Sequence, residues 1–234
     1  MRILALETST EYCSVALHQD GNVIERFEWV GQKHSELLIA MLADLLRDAQ
    51  VKLAELDGIA FGAGPGSFTG VRIACGATQG LALGADLPVL GVCTLQALAQ
   101  ASSHTRVIAA LDARMGEIYH AVYEQQQGVW MTVSEPCLCK AEDAPMVSGM
   151  DWYGVGSGFA AYGEALQQRY AGQLQGTDGT AVPHAAAIAA LAAAGFAQGS
   201  GLDAALALPL YLRDKVALKT VEREQIALAK KLNA

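Results

Sequence analysis

Basic charge is scarce. The 234-residue chain carries 16 Lys and Arg against 24 Asp and Glu, a net charge of −8, and its pI is near 5.1. A protein that grips a phosphate backbone alone needs a positive surface, so the balance argues against stand-alone nucleic-acid binding. Aromatic residues make up only 6% and charged residues 17%, while 52% are hydrophobic. Such a chain is too apolar and too weakly charged to stay disordered. Long hydrophobic runs are missing as well. The longest, Ala185 to Ala197, falls short of the roughly 20 residues of a membrane span. An acid as early as Glu7 does not suit a signal peptide. The five cysteines are an odd number without disulfide-rich spacing, which predicts a reduced, cytoplasmic protein. None of His18, His34, His104, His120 and His184 pair at three or four residues' spacing, so no helix offers two imidazoles to a metal. Cys137-Leu138-Cys139 has no second pair and reads as two ordinary thiols. No metal site and no membrane contact are expected.

What is present has clear periodicity. Residues 2–7, 13–18 and 23–30 read as strands, with a hairpin turn at Asp20-Gly21-Asn22. Leu37, Leu38, Met41, Leu42, Leu45 and Leu46 repeat with helical period over residues 34–49. A buried strand at 56–61, a helix at about 69–84, a strand at 88–92 and a helix at 95–101 complete a βββαβαβα order. That order is the pattern of one ribonuclease H-like lobe. The second half begins in the same way: strand 106–111 ends in Asp112 as the first ends in Glu7, residues 117–123 alternate, and Gln127-Gly128 precedes strand 129–133. The acid-to-glycine spacing is 14 residues in the first half and 16 in the second, which suggests a duplication. Acidic turns after strands are common enough to give the same pattern. An Ala-rich helix is expected at 184–199. The resulting division is an N-terminal, partner-binding lobe at 1–104, a C-terminal lobe at 105–212 and a helical tail at 213–234 that packs back on the first lobe. The tail holds six basic and three acidic residues, which leaves −11 for residues 1–212. It reads as a solvated helix, or alternatively as a basic arm for RNA or an acidic partner.

Three runs could carry chemistry. In Gly64-Pro65-Gly66-Ser67-Phe68-Thr69-Gly70-Val71-Arg72 the glycines allow a sharp turn, Ser67 can cap the following helix, and Arg72 adds a cation one turn in. Thr8, Ser9, Gly64, Gly66, Ser67 and Arg72 are thus candidates for an anion or residual nucleotide loop. A tight strand-to-helix turn explains the same residues, and without a Lys-Ser or Lys-Thr pair the run is not a Walker loop. Glu7-Thr8-Ser9-Thr10-Glu11 closes the first strand, but it has no Lys for a β-phosphate and no Gly before Cys13, which argues against nucleotide turnover. Asp112-Ala113-Arg114-Met115-Gly116-Glu117 reads as a salt-bridged turn, Arg114 with Asp112 or Glu117. No catalytic residue is assigned.

Glu7-Thr8-Ser9, the Gly64–Arg72 run, Asp112-Ala113-Arg114-Met115-Gly116-Glu117-Ile118-Tyr119 and Tyr211-Leu212-Arg213 occur in that order. Together they resemble the bacterial TsaB (YeaZ) family over nearly the whole chain. The resemblance implies an α/β protein of two ribonuclease H-like lobes, in the actin/hexokinase/Hsp70-like (ASKHA) superfamily. It implies a role in making threonylcarbamoyladenosine beside the anticodon of tRNAs that read codons beginning with A. In that pathway the paralogue TsaD transfers the threonylcarbamoyl group, TsaE is an ATPase of the assembly, and TsaC supplies threonylcarbamoyl-adenylate. A TsaB relative is the non-catalytic partner of TsaD, pairs with itself when TsaD is absent, and meets tRNA only through the complex. ATP and a divalent metal act elsewhere in the complex, and no cofactor is held tightly by this chain. The catalytic paralogue follows its fifth strand with Gly-Val-Asn-His-x-x-x-His, both histidines holding the metal. Here the two positions are Thr94 and Leu98, and a leucine cannot ligate a metal. That departure argues against a transferase or metalloprotease in this chain alone. An independent small-molecule kinase of the superfamily is the alternative, with Asp112 its weak candidate for a catalytic acid.

The resemblance also bears on partner binding. Gly76, Gly80 and Gly84 lie four apart on one row of the 69–84 helix, with Ile73 and Ala77 beside it. Each interior glycine costs a helix roughly 1 kcal/mol relative to alanine. The row serves either close approach by a partner or packing against the chain's own sheet. Family members pair through first-lobe helices, so the interface is expected on Leu37, Leu38, Met41, Leu42, Leu45, Ile73, Gly76, Ala77 and Gly80.

Overall fold

The computed structural model describes residues 1–213. The tail expected at 213–234 lies outside the described residues except for Arg213. The first sheet contains β1 (Arg2–Glu7), β2 (Tyr12–Gln19), β3 (Asn22–Trp29), β4 (Gly58–Gly64) and β5 (Val89–Cys93), in the order β3-β2-β1-β4-β5. The first three strands form an antiparallel meander, and β4 and β5 run parallel to β1. Asp20 and Gly21 both take positive φ in the hairpin turn, as Asp-Gly turns do. Two helices, α1 (His34–Asp48) and α2 (Phe68–Ala85), cover one face. There Leu38, Met41, Leu42, Leu45 and Leu46 pack with Leu4, Leu6, Val15, Leu17, Ile59 and Phe61.

The second sheet contains β6 (Arg106–Asp112), β7 (Ile118–Gln126), β8 (Val129–Cys139), β9 (Trp152–Val155) and β10 (Leu174–Asp178). Its order, β10-β9-β6-β7-β8, is that of the first sheet read from the opposite edge. The strand directions also match: an antiparallel meander, then two parallel strands. The internal duplication suggested by the acid and glycine spacing is therefore a duplication of topology. Strand β8 runs on past residue 133, through an irregularity between Ser134 and Cys137, where Pro136 lies. Short helices α4 (Ser157–Ala161) and α5 (Gly163–Arg169) follow β9.

The last helix of each half crosses over. Helix α3 (Thr94–Ala101) follows β5, yet Leu95, Leu98 and Ala99 pack on Val107, Ala109, Leu111 and Tyr123 of the second sheet. Helix α6 (Ala185–Ala197) follows β10, yet Ala185, Ile188, Ala189 and Ala192 pack on Ile3, Ala5, Ala16 and Ala60 of the first. The small side chains on both surfaces let α6 lie close to the sheet. Beyond it, Leu202 pairs with Val89 through backbone hydrogen bonds of 2.8 and 2.9 Å, and the Leu210 N–H donates to the Ala63 carbonyl at 2.7 Å. The division at 1–104 and 105–212 is corrected accordingly. Residues 94–101 pack on both lobes, Ala97 joining the cluster beneath α6, and residues 185–210 complete the first. A helical period shows that a helix has an apolar face, not which sheet that face covers.

Candidate functional site: an interlobe cleft and an open helix face

Two segments are joined at the end of β1. The Thr8 hydroxyl donates to the Gly70 carbonyl at 2.7 Å, and the Ser67 N–H donates to the Ser9 carbonyl at 2.8 Å. Ser67 caps α2, its Oγ accepting from the Gly70 N–H at 3.3 Å. A β-carbon at Gly70 would sit 1.9 Å from the Thr8 carbonyl oxygen, and one at Gly66 would sit 2.6 Å from the Ser9 β-carbon. These glycines serve close approach of two backbones. For Gly66 the reason is space and not a left-handed backbone, because its φ lies outside that region. Gly64 does take positive φ, 108°, ahead of the cis peptide to Pro65.

The joined turns form one wall of a cleft of about 920 Å³ between the lobes. The opposite wall is Asp112–Met115 with Ser157, and residues 210–213 close one end. Thus Ser9, Gly66 and Ser67 line the cleft, while Thr8 is fully buried behind them. The Ser9 hydroxyl is buried without a hydrogen-bond partner among the described residues. Arg72 does not serve this loop. Its guanidinium lies 3.3 Å from the Phe68 ring centroid, and its Nε donates to the Tyr211 hydroxyl at 2.7 Å. Arg114 pairs with Asp112 at 3.1 Å, as the salt-bridged turn predicts, and reaches Glu11 across the cleft at 3.8 Å. Glu117 instead pairs with Arg213 at 2.9 Å, whose guanidinium also donates to the Ala113 carbonyl at 3.0 Å. The last described residues therefore strap the first lobe to the second. The cleft's arginines and acids compensate one another, so it carries no excess positive charge.

Glu7 points away from the cleft, under α6. It is 1% exposed, its Oε1 accepts from the Ser9 N–H, and its Oε2 has no partner. A β-carbon at Gly62 would fall 1.8 Å from that oxygen, so the carboxyl occupies the space that glycine leaves. Burial raises its pKa above the usual carboxylate value, against the lowering effect of the Ser9 hydrogen bond. The two positions that hold metal in the catalytic paralogue are structural here. Thr94 Oγ1 accepts from the Gly64 N–H at 3.1 Å, and Leu98 is 1% exposed in the core. They do not fit a metal.

The expected partner residues divide. Leu38, Met41, Leu42 and Leu45 are buried in the chain's own core and Leu37 is half-buried against it, so α1 does not offer its leucine face to a partner. That expectation is corrected: the wide apolar stripe is used up by the first sheet and α2. The α2 row is open. Among the described residues Gly76, Gly80 and Gly84 are exposed, and β-carbons there would meet none of them within 4 Å. Ile73 and Ala77 flank the row half-buried. Near it, exposed leucines that periodicity did not single out join the surface: Leu83 on α2, with Leu206 and Leu208 either side of Ala207. The Ala207 carbonyl accepts from Gln79 of α2 at 3.1 Å. Their signal in the sequence is the uncharged run from Ala204 to Leu210.

Two sheets of the same topology, a cleft between them and crossed terminal helices define a two-lobed protein of the actin/hexokinase/Hsp70-like class. Among solved structures the chain is similar to "YeaZ from Pseudomonas aeruginosa", with a TM-score of 0.84 and 40% identity over 90% of this chain and 99% of that one. The family model described as "TsaD: tRNA N6-adenosine threonylcarbamoyltransferase" matches residues 28–220. Two relatives are named "tRNA threonylcarbamoyladenosine biosynthesis protein TsaB". The one from Escherichia coli is 40% identical over 94% of this chain and 97% of its own length, and the one from Haemophilus influenzae 36% over 94% and 96%. The chain belongs to the TsaB family, within the wider group that the TsaD model describes. No helix among the described residues is long and apolar enough to cross a membrane.

Proposed function

We propose that this chain acts in tRNA threonylcarbamoyladenosine biosynthesis as a non-catalytic subunit that binds and supports a TsaD-like transferase, and pairs with itself when that partner is absent. The carrying observation is the open glycine row of α2. Nothing among the described residues needs Gly76, Gly80 or Gly84 to lack a β-carbon, yet each costs the helix about 1 kcal/mol. A partner helix that packs backbone to backbone accounts for that cost, as small-residue rows do elsewhere. The exposed Leu83, Leu206 and Leu208 give such a partner apolar surface to cover. Thr94 and Leu98 in place of the metal-binding histidines fit a subunit without the transfer chemistry. A TsaE-like ATPase would join the assembly, and tRNA would meet this chain only inside it.

The test is Gly80→Leu. A side chain forced into a close helix contact typically costs about 1–3 kcal/mol, here charged to the interface alone. The variant should keep its circular dichroism and, as dilute separated subunits, melt no lower than the parent, while losing self-association and co-elution with the TsaD-like protein. A variant that pairs normally would place the interface elsewhere. Turnover of ATP by the purified chain, abolished by Asp112→Asn, would instead favour an independent kinase-like enzyme.

A further inference from the structure

The second lobe holds a thiol cluster that the proposed function does not use. Cys137 and Cys139 are two apart on β8, so their side chains share one face. His120 stands directly opposite Cys137 on β7 and is fully buried. The Tyr170 hydroxyl donates to the Pro145 carbonyl at 2.8 Å, so at 2.8 Å it accepts from His120 Nε2–H. That bond fixes the imidazole tautomer and leaves Nδ1 a lone pair with no hydrogen-bond partner among the described residues. Both cysteines are partly exposed, whereas Cys13 and Cys75 are buried. Two residues of strand separate the cysteine Cα atoms by about 6.6 Å. A disulfide spans about 4.4–6.8 Å, which includes that separation.

We propose that Cys137 and Cys139 are an oxidation site, a dithiol that reduces a hydroperoxide and closes an intrastrand disulfide, with His120 as the base. The Cys137 sulfur, its proton taken by His120, attacks one peroxide oxygen. The O–O bond breaks, the leaving oxygen departs with a proton as water or alcohol, and Cys137 becomes a sulfenic acid. Cys139 then attacks the Cys137 sulfur. The S–S bond forms, the S–O bond breaks, and the oxygen leaves as water with the Cys139 proton. Two thiol hydrogens and two electrons pass to the peroxide. The electrostatics suit these roles. The neighbouring Cys139 thiol, then His120, hold Cys137 below the usual thiol range, while Cys139 is held above it chiefly by Cys137 and burial. By contrast, burial pushes the Cys13 thiol up to about 12 and raises Cys75 and Cys93, which keeps them protonated and slow.

Trypsin places both cysteines, and no other, in one peptide from Met115 to Lys140, which makes the test direct. The full chain is treated with hydrogen peroxide, blocked with an alkylating agent and analysed by mass spectrometry. The expected product is that peptide less two hydrogens, restored by dithiothreitol. Cys139→Ser should leave a sulfenic acid on Cys137 that dimedone traps, and Cys137→Ser should slow peroxide consumption about tenfold or more. His120→Gln, combined with Cys139→Ser, should slow the first step while leaving the slower dimedone trapping on Cys137. If the peptide keeps its hydrogens while Cys93 oxidises first, or if Cys137→Ser reacts at the parent rate, the proposal is wrong. The cysteine variants decide it even if the buried His120→Gln protein fails to fold.

Discussion

A β-carbon at Gly66 would meet the Ser9 β-carbon at 2.6 Å and the Ser9 carbonyl at 2.8 Å. Neither atom belongs to a flexible side-chain end, so Gly66→Ala should cost about 1–3 kcal/mol, read as a lower denaturation midpoint. The Glu7 carboxyl makes a second prediction. Its pKa is raised in the folded protein, so between the ordinary carboxylate value and that raised value the folded state holds more protons than the unfolded one. Stability should then fall as pH rises through this window. Glu7→Gln cannot ionise. Its stability, relative to the parent, should grow as pH rises through the window in urea titrations, and a constant difference would contradict the assignment. At this scale the sequence marked two runs that the fold brings together. The Glu7–Glu11 and Gly64–Arg72 runs do meet, through Thr8, Ser9, Ser67 and Gly70. It could not show that Arg72 turns away to Phe68 and Tyr211, because that depends on a residue 139 positions along the chain.

Helix α2 presents two kinds of surface. Its Val71, Ala74, Cys75 and Ala82 are buried, and its glycine row is open. Gly80→Ala should therefore stabilise the separated subunit by up to about 1 kcal/mol while weakening pairing, a combination that a core glycine would not give. Chemical denaturation of dilute protein, set beside sedimentation of concentrated protein, separates the two effects. The period of α1 and α2 located both helices to within a residue or two, since the apolar repeats are long and regular. The α1 leucines were expected at a partner interface because family members pair through first-lobe helices, and they are buried in the chain's own core instead. A wide apolar stripe shows that something covers it, and here the cover is the chain's own sheet and α2. The glycine row was ambiguous for the matching reason: spacing gives the face of a helix, and only packing tells whether that face is open.

Across the whole molecule, the crossed helices α3 and α6 bind the lobes together. A fragment of residues 1–104 would lack α6, exposing the face built on Ile3, Ala5, Ala16 and Ala60, and would carry an α3 with no second sheet to cover. It should aggregate or remain unfolded by circular dichroism and proton NMR; a soluble, dispersed spectrum would show that the lobes fold separately. The duplicated topology was legible in the order of strands, acids and glycines. The helix exchange was not, because it joins segments about a hundred residues apart without a local pattern. Charge also acts at this scale. With a net charge of −8, the isolated chain should bind tRNA weakly at physiological salt. The most direct test of the central claim is co-purification of this chain with the TsaD-like protein of its own source, followed by assay of threonylcarbamoyl transfer to tRNA. The two should elute together, transfer should require both, and Gly80→Leu should abolish elution and transfer together. Full transfer by the TsaD-like protein alone, or by this chain alone, would contradict the account.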